Sequence, residues 1–591
     1  MSHGRNLMTG CRRSALPRPL LGPLLAVLVL LSACGISLPE SGPVHETGKV
    51  SAGHHDAGFE LDPRPPTPGA IPSEIVAGFL DAMQATPLQT TTARHYLSKE
   101  LASSWNPQEE TITYGDKSTP HGTRKVTVDL AGANRLDRQG AWDGPVPPAQ
   151  SRLAFELVRE QGEWRISSAP NALVVPVSWF ESRFTQASLY YFDSTGRMLV
   201  PTPVFIPRGD QFATALVRDL LRPPDRKLAG VVRTFLPTGV GEGLSVPVSA
   251  DGVAQVDLTG DLGEQSKSSI RLMFAQLAWT LRQDDEIRSI RLTIDGRPVY
   301  PGAGPALVPV GGFEQYDPTG YSASDGVWAL RDGVVVTYNA DRKFVPVAGG
   351  WGSGSHAVRS LAVSITGDRA AAVTADGRHV LLGSLYATGT VHPTPVRGQD
   401  LLRPAWDYAG RLWLVDRTRT GAAVSYLQGG RLQRVRIPGI TGHDVQTFLV
   451  SRDGTRLVAV VRDHGRTVVV ASRLHADTGG RVERGGRAFA ISNPAEGGSR
   501  IEGIAWHSTT SVVVLQQLSR EALLQILPVD GSAAAFSAAT LTVGARVVAL
   551  VGSPADNAVL YVETASGRLI DFSGHARTIR GQQVSAITYV G

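Results

Sequence analysis

Residues 448–461 read FLVSRDGTRLVAVV. An apolar strand runs into a Ser-Arg-Asp-Gly turn, and a second strand rich in β-branched residues returns from it. Four more segments follow the same plan: LAVSITGDRAAAV at 361–373, LRPAWDYAGRLWLV at 402–415, IEGIAWHSTTSVVVL at 501–515 and VALVGSPADNAVLYV at 548–562. Anchored on Ser364, Trp406, Ser451, Trp506 and Gly552, the steps are 42, 45, 55 and 46 residues. That period fits propeller blades of four strands each. With SDGVWALRDGVVV at 324–336, residues 315–591 hold about six blades, or seven with a shared closing blade, and the final VSAITYV adds a strand to the first. A β-sandwich is the alternative. The long step after Ser451 is assigned to a polar insertion, HADTGGRVERGG at 475–486, expected as a flexible loop. The acidic residues of the repeats read as turn formers. His507, after Trp506, reads as a turn residue rather than a base.

Upstream of the repeats the texture changes. Residues 35–72 are rich in Pro, Gly and His and form a spacer. His54 and His55 are a weak metal candidate there. Residues 73–180 pair helical patterns with strands. Ser73 is placed as the cap of a helix bearing Ile75, Phe79 and Met83, and a second helix carries Tyr96, Leu97, Leu101 and Trp105 up to Pro107. One curved antiparallel sheet is expected after them, with Gln161-Gly162 as a hairpin turn. The order resembles the cystatin-like or NTF2-like cone.

Residues 187–300 form a second unit. Asp210 is placed as the cap of a helix with Phe212, Leu216 and Leu220. A helix with Ile270, Phe274, Leu277 and Leu281, begun at Ser268 and Ser269, separates strands at 253–258 and 290–294. The runs LYYFDSTGRMLVP, FLPTGVGEG, GVAQVDLTGDL, FAQLAWTL and RLTIDGRPV resemble the GerMN domain, which brings no established catalytic residues. Gly239–Gly243 lacks both the dinucleotide spacing and the GK[ST] ending of a phosphate loop. Asp284, Asp285 and Glu286 read as a solvated turn.

The amino terminus reads as an export signal. Arg5, Arg12, Arg13 and Arg18 precede an apolar run from Leu20 to Leu31, too short to span a bilayer comfortably. Leu-Ser-Ala-Cys at 31–34 resembles the lipobox of bacterial lipoproteins. The resemblance implies a signal at 1–33 and a diacylglyceryl group on Cys34, which starts a lipidated segment and spacer at 34–72. The other cysteine, Cys11, lies in the removable part, so the exported body has no disulfide partner. The chain is +5 overall, and residues 1–33 carry four Arg and no acid, so the mature body is close to +1. That leaves no argument for nucleic-acid binding. No serine elbow, zinc helix, Walker loop or Cys-His cluster appears, so no enzyme, metal or cofactor is implied.

The order of lipobox, spacer, α+β region, α/β GerMN domain and all-β propeller resembles the LpqB family of actinobacterial lipoproteins, which is associated with the MtrAB two-component system. The resemblance implies an accessory held at the outer face of the cell membrane by acylated Cys34. It would contact the extracytoplasmic domain of the sensor kinase MtrB and tune signalling tied to envelope, division and development. The alternative is a glycan-binding protein or envelope hydrolase, holding cell-wall material in the GerMN domain or the propeller channel.

Overall fold

In the computed structural model the described residues are 63–591, apart from 86–88, 244, 303–305, 321–325, 342, 387–388, 493–499, 519–520, 533–540, 556–557, 567, 573–576 and 580–582. Cys34, His54 and His55 lie outside them.

The repeats fold into six sheets. In the fourth, Asp444–Val450, Arg456–Asp463 and Arg466–Ala476 pair in order. Each sheet has two apolar faces, and each face is covered by a neighbour. Val458 and Val469 of blade four meet Trp506 and Val512 of blade five, while Trp413 and Tyr426 of blade three pack with Leu457 of blade four. Further clusters join blades one to two, two to three and five to six. A sixth closes the ring: Ala329 and Phe344 of blade one pack with Val551, Tyr561 and Leu569 of blade six. Among the described residues the blade count is therefore six. The last strand, Ser585–Thr588, pairs with Trp328–Arg331 and completes the first blade from the far end of the repeats.

The insertion after Ser451 is not a loose loop. The third strand of blade four runs on to Ala476, turns, and pairs back through Val482–Gly485. Asp477 holds that turn by accepting the Arg481 N–H at 2.9 Å.

In the GerMN region, strands Phe184–Asp193 and Leu199–Pro207 pair antiparallel, and Val253–Thr259 lies parallel to Ser289–Ile294 across helix Lys267–Leu281. Gln276 and Thr280 on that helix, with Gln283 just past its end, serve the edge of Phe184–Asp193 at Ser188 and Tyr190, while strand Val232–Arg233 pairs with Phe192 and Asp193. Gln276 donates to Tyr190 O, Thr280 Oγ1 accepts the Tyr190 N–H, and Gln283 both donates to Ser188 O and accepts its N–H, at 2.7–3.2 Å. From Ser188 to Tyr190 the sheet edge is thus satisfied by side chains instead of another strand. Ser266 caps the helix, accepting the Ser269 N–H at 3.0 Å, two residues before the expected start. Asp210 is not a cap either. Helix Phe212–Leu221 follows Gln211, with no side-chain cap bond, and backbone bonds from Phe212 to Gly209 and from Ala215 to Gln211 close its first turn.

The N-terminal region holds two sheets, not one. Thr111–Tyr114 lies between Asn134–Leu136 and, in parallel, Leu173–Pro176; Lys125–Ala131, Arg152–Glu160 and Glu163–Ser168 form the other. The Gln161-Gly162 turn has φ of 51° and 88°, as a two-residue hairpin requires. The first helix spans Pro72–Ala82 and starts before Ser73. Proline lacks the N–H that a first turn leaves unpaired, and Glu74 accepts the Ile71 N–H at 3.1 Å. The second helix is broken into Thr91–Arg94 and Lys99–Ser104, because the chain between them leaves helical geometry to pair with Ile166. Tyr96, Leu97 and Trp105 still reach the core.

Cutting the chain after Val584 removes the strand that closes the ring, with buried Ile587, Tyr589 and Val590. At about 1.5–3 kcal/mol for each side chain, the melting temperature should fall by about 10 °C or more. A calorimetric scan of the truncated chain checks this.

Candidate functional site

The three regions are joined by buried polar contacts, and these joints shape the cavities. Between the N-terminal and GerMN regions, buried Gln139 donates to Asp219 O at 2.7 Å and to Tyr191 Oη at 3.2 Å. The Phe205 N–H donates to Gly140 O at 2.9 Å. Gly140 has φ of 77°, and a Cβ there would strike the Phe205 carbonyl, so this loop needs glycine.

Between GerMN region and propeller, Asp193 is the centre. Its Oδ1 accepts N–H bonds from Arg197 and Met198, and its Oδ2 accepts the Thr195 N–H, the Thr195 hydroxyl and the Tyr408 hydroxyl. Burial, then the Asp193 charge, pushes the Tyr408 phenol far up, so it remains a donor. Arg456 reaches Pro201 O, and Arg452 reaches Thr319 O while donating to Ser553 Oγ at 2.8 Å and Val590 O at 3.0 Å. The blade-four hairpin adds a third strap. His475 Nδ1–H donates to Ala229 O at 3.0 Å, and the Ala476 N–H to Gly230 O at 2.9 Å.

Behind this joint stands a buried ion pair in the third blade. Asp407 Oδ2 accepts from Arg411 Nε at 2.6 Å and from Trp413 Nε1 at 2.7 Å. Burial acts to lower Arg411, but Asp407 outweighs it and holds the guanidinium above its usual value. The repeat turns work similarly: Asp453 Oδ1 accepts from Ser451 and Thr455 hydroxyls, and Asp368 from Ser364. The acids of the repeated motif are spent on turn geometry.

Two cavities result. One lies on the propeller axis, about 190 Å³, walled by inner strands including Phe448–Val450, Ile504–Trp506 and Leu550–Val551. Among its described lining residues Glu502 is the one acidic side chain, so no carboxylate pair spaced for glycoside chemistry is present there. Arg403 also lines it and donates to Leu361 O at 3.1 Å; the surrounding protein pushes its guanidinium down to about 10, although water in the channel still reaches it.

The other is a cleft of about 1030 Å³ where all three regions meet. The N-terminal region supplies Trp142 and Asp143, the GerMN region Lys227, and the propeller Arg473, Arg487, Phe489 and Asp530. Lys227 is bound to Asp143. Burial, then the like charge of Arg456, lowers Arg473. Burial raises Asp530, whose Oδ1 accepts both the N–H and the hydroxyl of Ser532, while its Oδ2 is enclosed without a partner.

The residues singled out from sequence stand apart from this cleft. Gly241–Glu242 forms a short strand beside Val253–Thr259. Asp284 accepts the Glu286 N–H at 3.0 Å in a turn after the helix. His507 lies on strand Arg500–Ser508, not in the turn, and protein packed around its ring lowers its pKa even though the residue is solvent-exposed. The cleft residues come from positions more than 380 apart, from 142 to 530, and no local motif marks them. The extra length after Ser451 is the one signal that touches the cleft, since the insertion it marks supplies His475 and Gly486 to the lining.

Three family models match: "Lipoprotein LpqB, N-terminal domain" over 65–181, "Sporulation and spore germination" over 188–300 and "Lipoprotein LpqB beta-propeller domain" over 332–575. The chain belongs to the lipoprotein LpqB family. Its relatives include the Lipoprotein LpqB of Streptomyces avermitilis, 28% identical over 88% of this chain and 90% of that one, and of Thermobifida fusca, 27% identical over 89% and 92%. A solved structure, a putative TolB from Agrobacterium tumefaciens, aligns at 12% identity and a TM-score of 0.28 over 38% of this chain and 82% of that one. Among the described residues no helix is long and apolar enough to cross a membrane.

Two substitutions test the LpqB-family joint. Tyr408→Phe deletes a hydrogen bond to a carboxylate and should cost about 1.5–3 kcal/mol. Faster amide exchange at 193–198 would accompany it. Asp407→Ala strands buried Arg411 and should cost about 3–5 kcal/mol. Denaturant titration reads both.

Proposed function

We propose that this chain is a lipid-anchored, extracytoplasmic accessory protein that binds the outer domain of an MtrB-like sensor histidine kinase and modulates two-component signalling tied to the envelope, division and development. The observation that carries the reading is the interlocked body. Asp193, Tyr408, Arg456 and the blade-four hairpin join the GerMN region to the propeller through hydrogen bonds, buried or half-buried except at the hairpin. Such a body presents loop surfaces in fixed relation to one another, which suits recognition of another protein. The relatives' name, lipoprotein, supports the anchor, and acylation of Cys34 supplies it. One chain holds marginally and two hold stably. Tethering raises the effective concentration at a membrane partner.

The role we read is binding of a partner protein rather than catalysis, in keeping with relatives named only as lipoproteins.

Cys34→Ala should leave the melting temperature of the body unchanged while membrane retention after a high-salt wash is lost. Fractionation and mass spectrometry of the mature amino terminus read the outcome. Crosslinking in intact cells should capture the kinase with wild-type protein. Normal kinase output in a deletion strain, with no crosslink, ends the proposal.

A further inference from the structure

The three-way cleft is not used by the proposal above, and its chemistry is uneven. Lys227 is neutralised by Asp143. Arg456 lies behind the cleft, between Asp453 at 3.6 Å and the charge of Asp530. Arg473 and Arg487 have no such partner: among the described residues no carboxylate or carbonyl lies within bonding distance of either guanidinium. Arg473 is half-buried, 5.8 Å from the centre of the Phe489 ring, and Arg487 is exposed at the rim. The charges of Asp225, Asp530 and Asp137 favour the Arg473 cation from a distance, but none of them forms a salt bridge with it, so its guanidinium N–H groups remain open to an anionic ligand.

Asp530 is the opposing charge in the lining. It is raised by burial, and its unpaired Oδ2 becomes a donor once protonated. Trp142 on the N-terminal side and Phe489 on the propeller side offer apolar ring surface on opposite domains. The volume of about 1030 Å³ is at the upper end for small-molecule sites.

We propose that this cleft is a binding site for a small organic anion, a phosphate or carboxylate on a ring-bearing body, with Arg473 and Arg487 holding the charge and Trp142 and Phe489 the ring. The ligand would touch all three regions at once. The site is independent of the kinase reading and is tested without the kinase.

The test is titration calorimetry on the full chain in detergent, with phenyl phosphate, benzoate and phenol as probes. Saturable one-to-one binding of phenyl phosphate or of benzoate, with phenol at least about tenfold weaker, is the expected result. Which of the two binds assigns phosphate or carboxylate. Arg473→Gln should weaken binding about tenfold or more. Arg487→Gln, at an exposed position that leaves folding intact, should weaken it severalfold. Arg431→Gln, on a distant blade-three strand, should bind as wild type. Should Arg473→Gln fail to fold, Arg487→Gln and Trp142→Leu carry the test. No saturable binding, phenol binding as well as the anions, or wild-type affinity in Arg487→Gln together with a folded Arg473→Gln or Trp142→Leu overturns the site.

Discussion

A propeller sheet has two apolar faces and can cover neither alone. Everything in the carboxy-terminal half follows from that constraint. Trp413, Tyr426, Leu457 and Val458 are buried only because another blade stands against them, and the last pair of faces meets only when Ser585–Thr588 returns to the first blade. Closure is what turns six marginal sheets into one core. It also fixes the turns above the inner strands, and from those turns, and the strand start that follows one of them, come Tyr408, Arg452 and Arg456.

Tyr408 and Arg456 make the joint to the GerMN region a polar one, built on a buried carboxylate with five donors, while Arg452 ties Thr319 to the end of the chain. Satisfied networks of this kind specify a single arrangement, since any slip leaves a buried charge without partners. The fixed geometry gives the cleft its walls, because no one region has the residues to form it.

The sequence was most legible where physics is local and repeated. The 42- to 46-residue steps, the Gln161-Gly162 turn and the returning final strand all follow from pattern. Helix starts were less legible. Proline at Pro72 and the serine run at 266–269 shift a boundary by a residue or two, and only the hydrogen bonds decide it. The insertion at 475–486 was misread because polar composition looks alike in a loose loop and in a hairpin docked by its backbone. Arg473, Lys227 and Trp142 were beyond reach, since their meeting is a product of domain docking and leaves no trace in spacing.

The same joint sets an order of events for a chain that must fold after synthesis. Asp193 waits for Tyr408, 215 residues later, and Pro201 waits for Arg456, 255 residues later. Contacts so far apart form late, after loop entropy has been overcome. The GerMN edge at Ser188 and Tyr190 is already occupied by Gln276, Thr280 and Gln283, so during that interval it offers no template to a stray strand. The amino-terminal half can therefore linger, half assembled, without inviting aggregation at that edge.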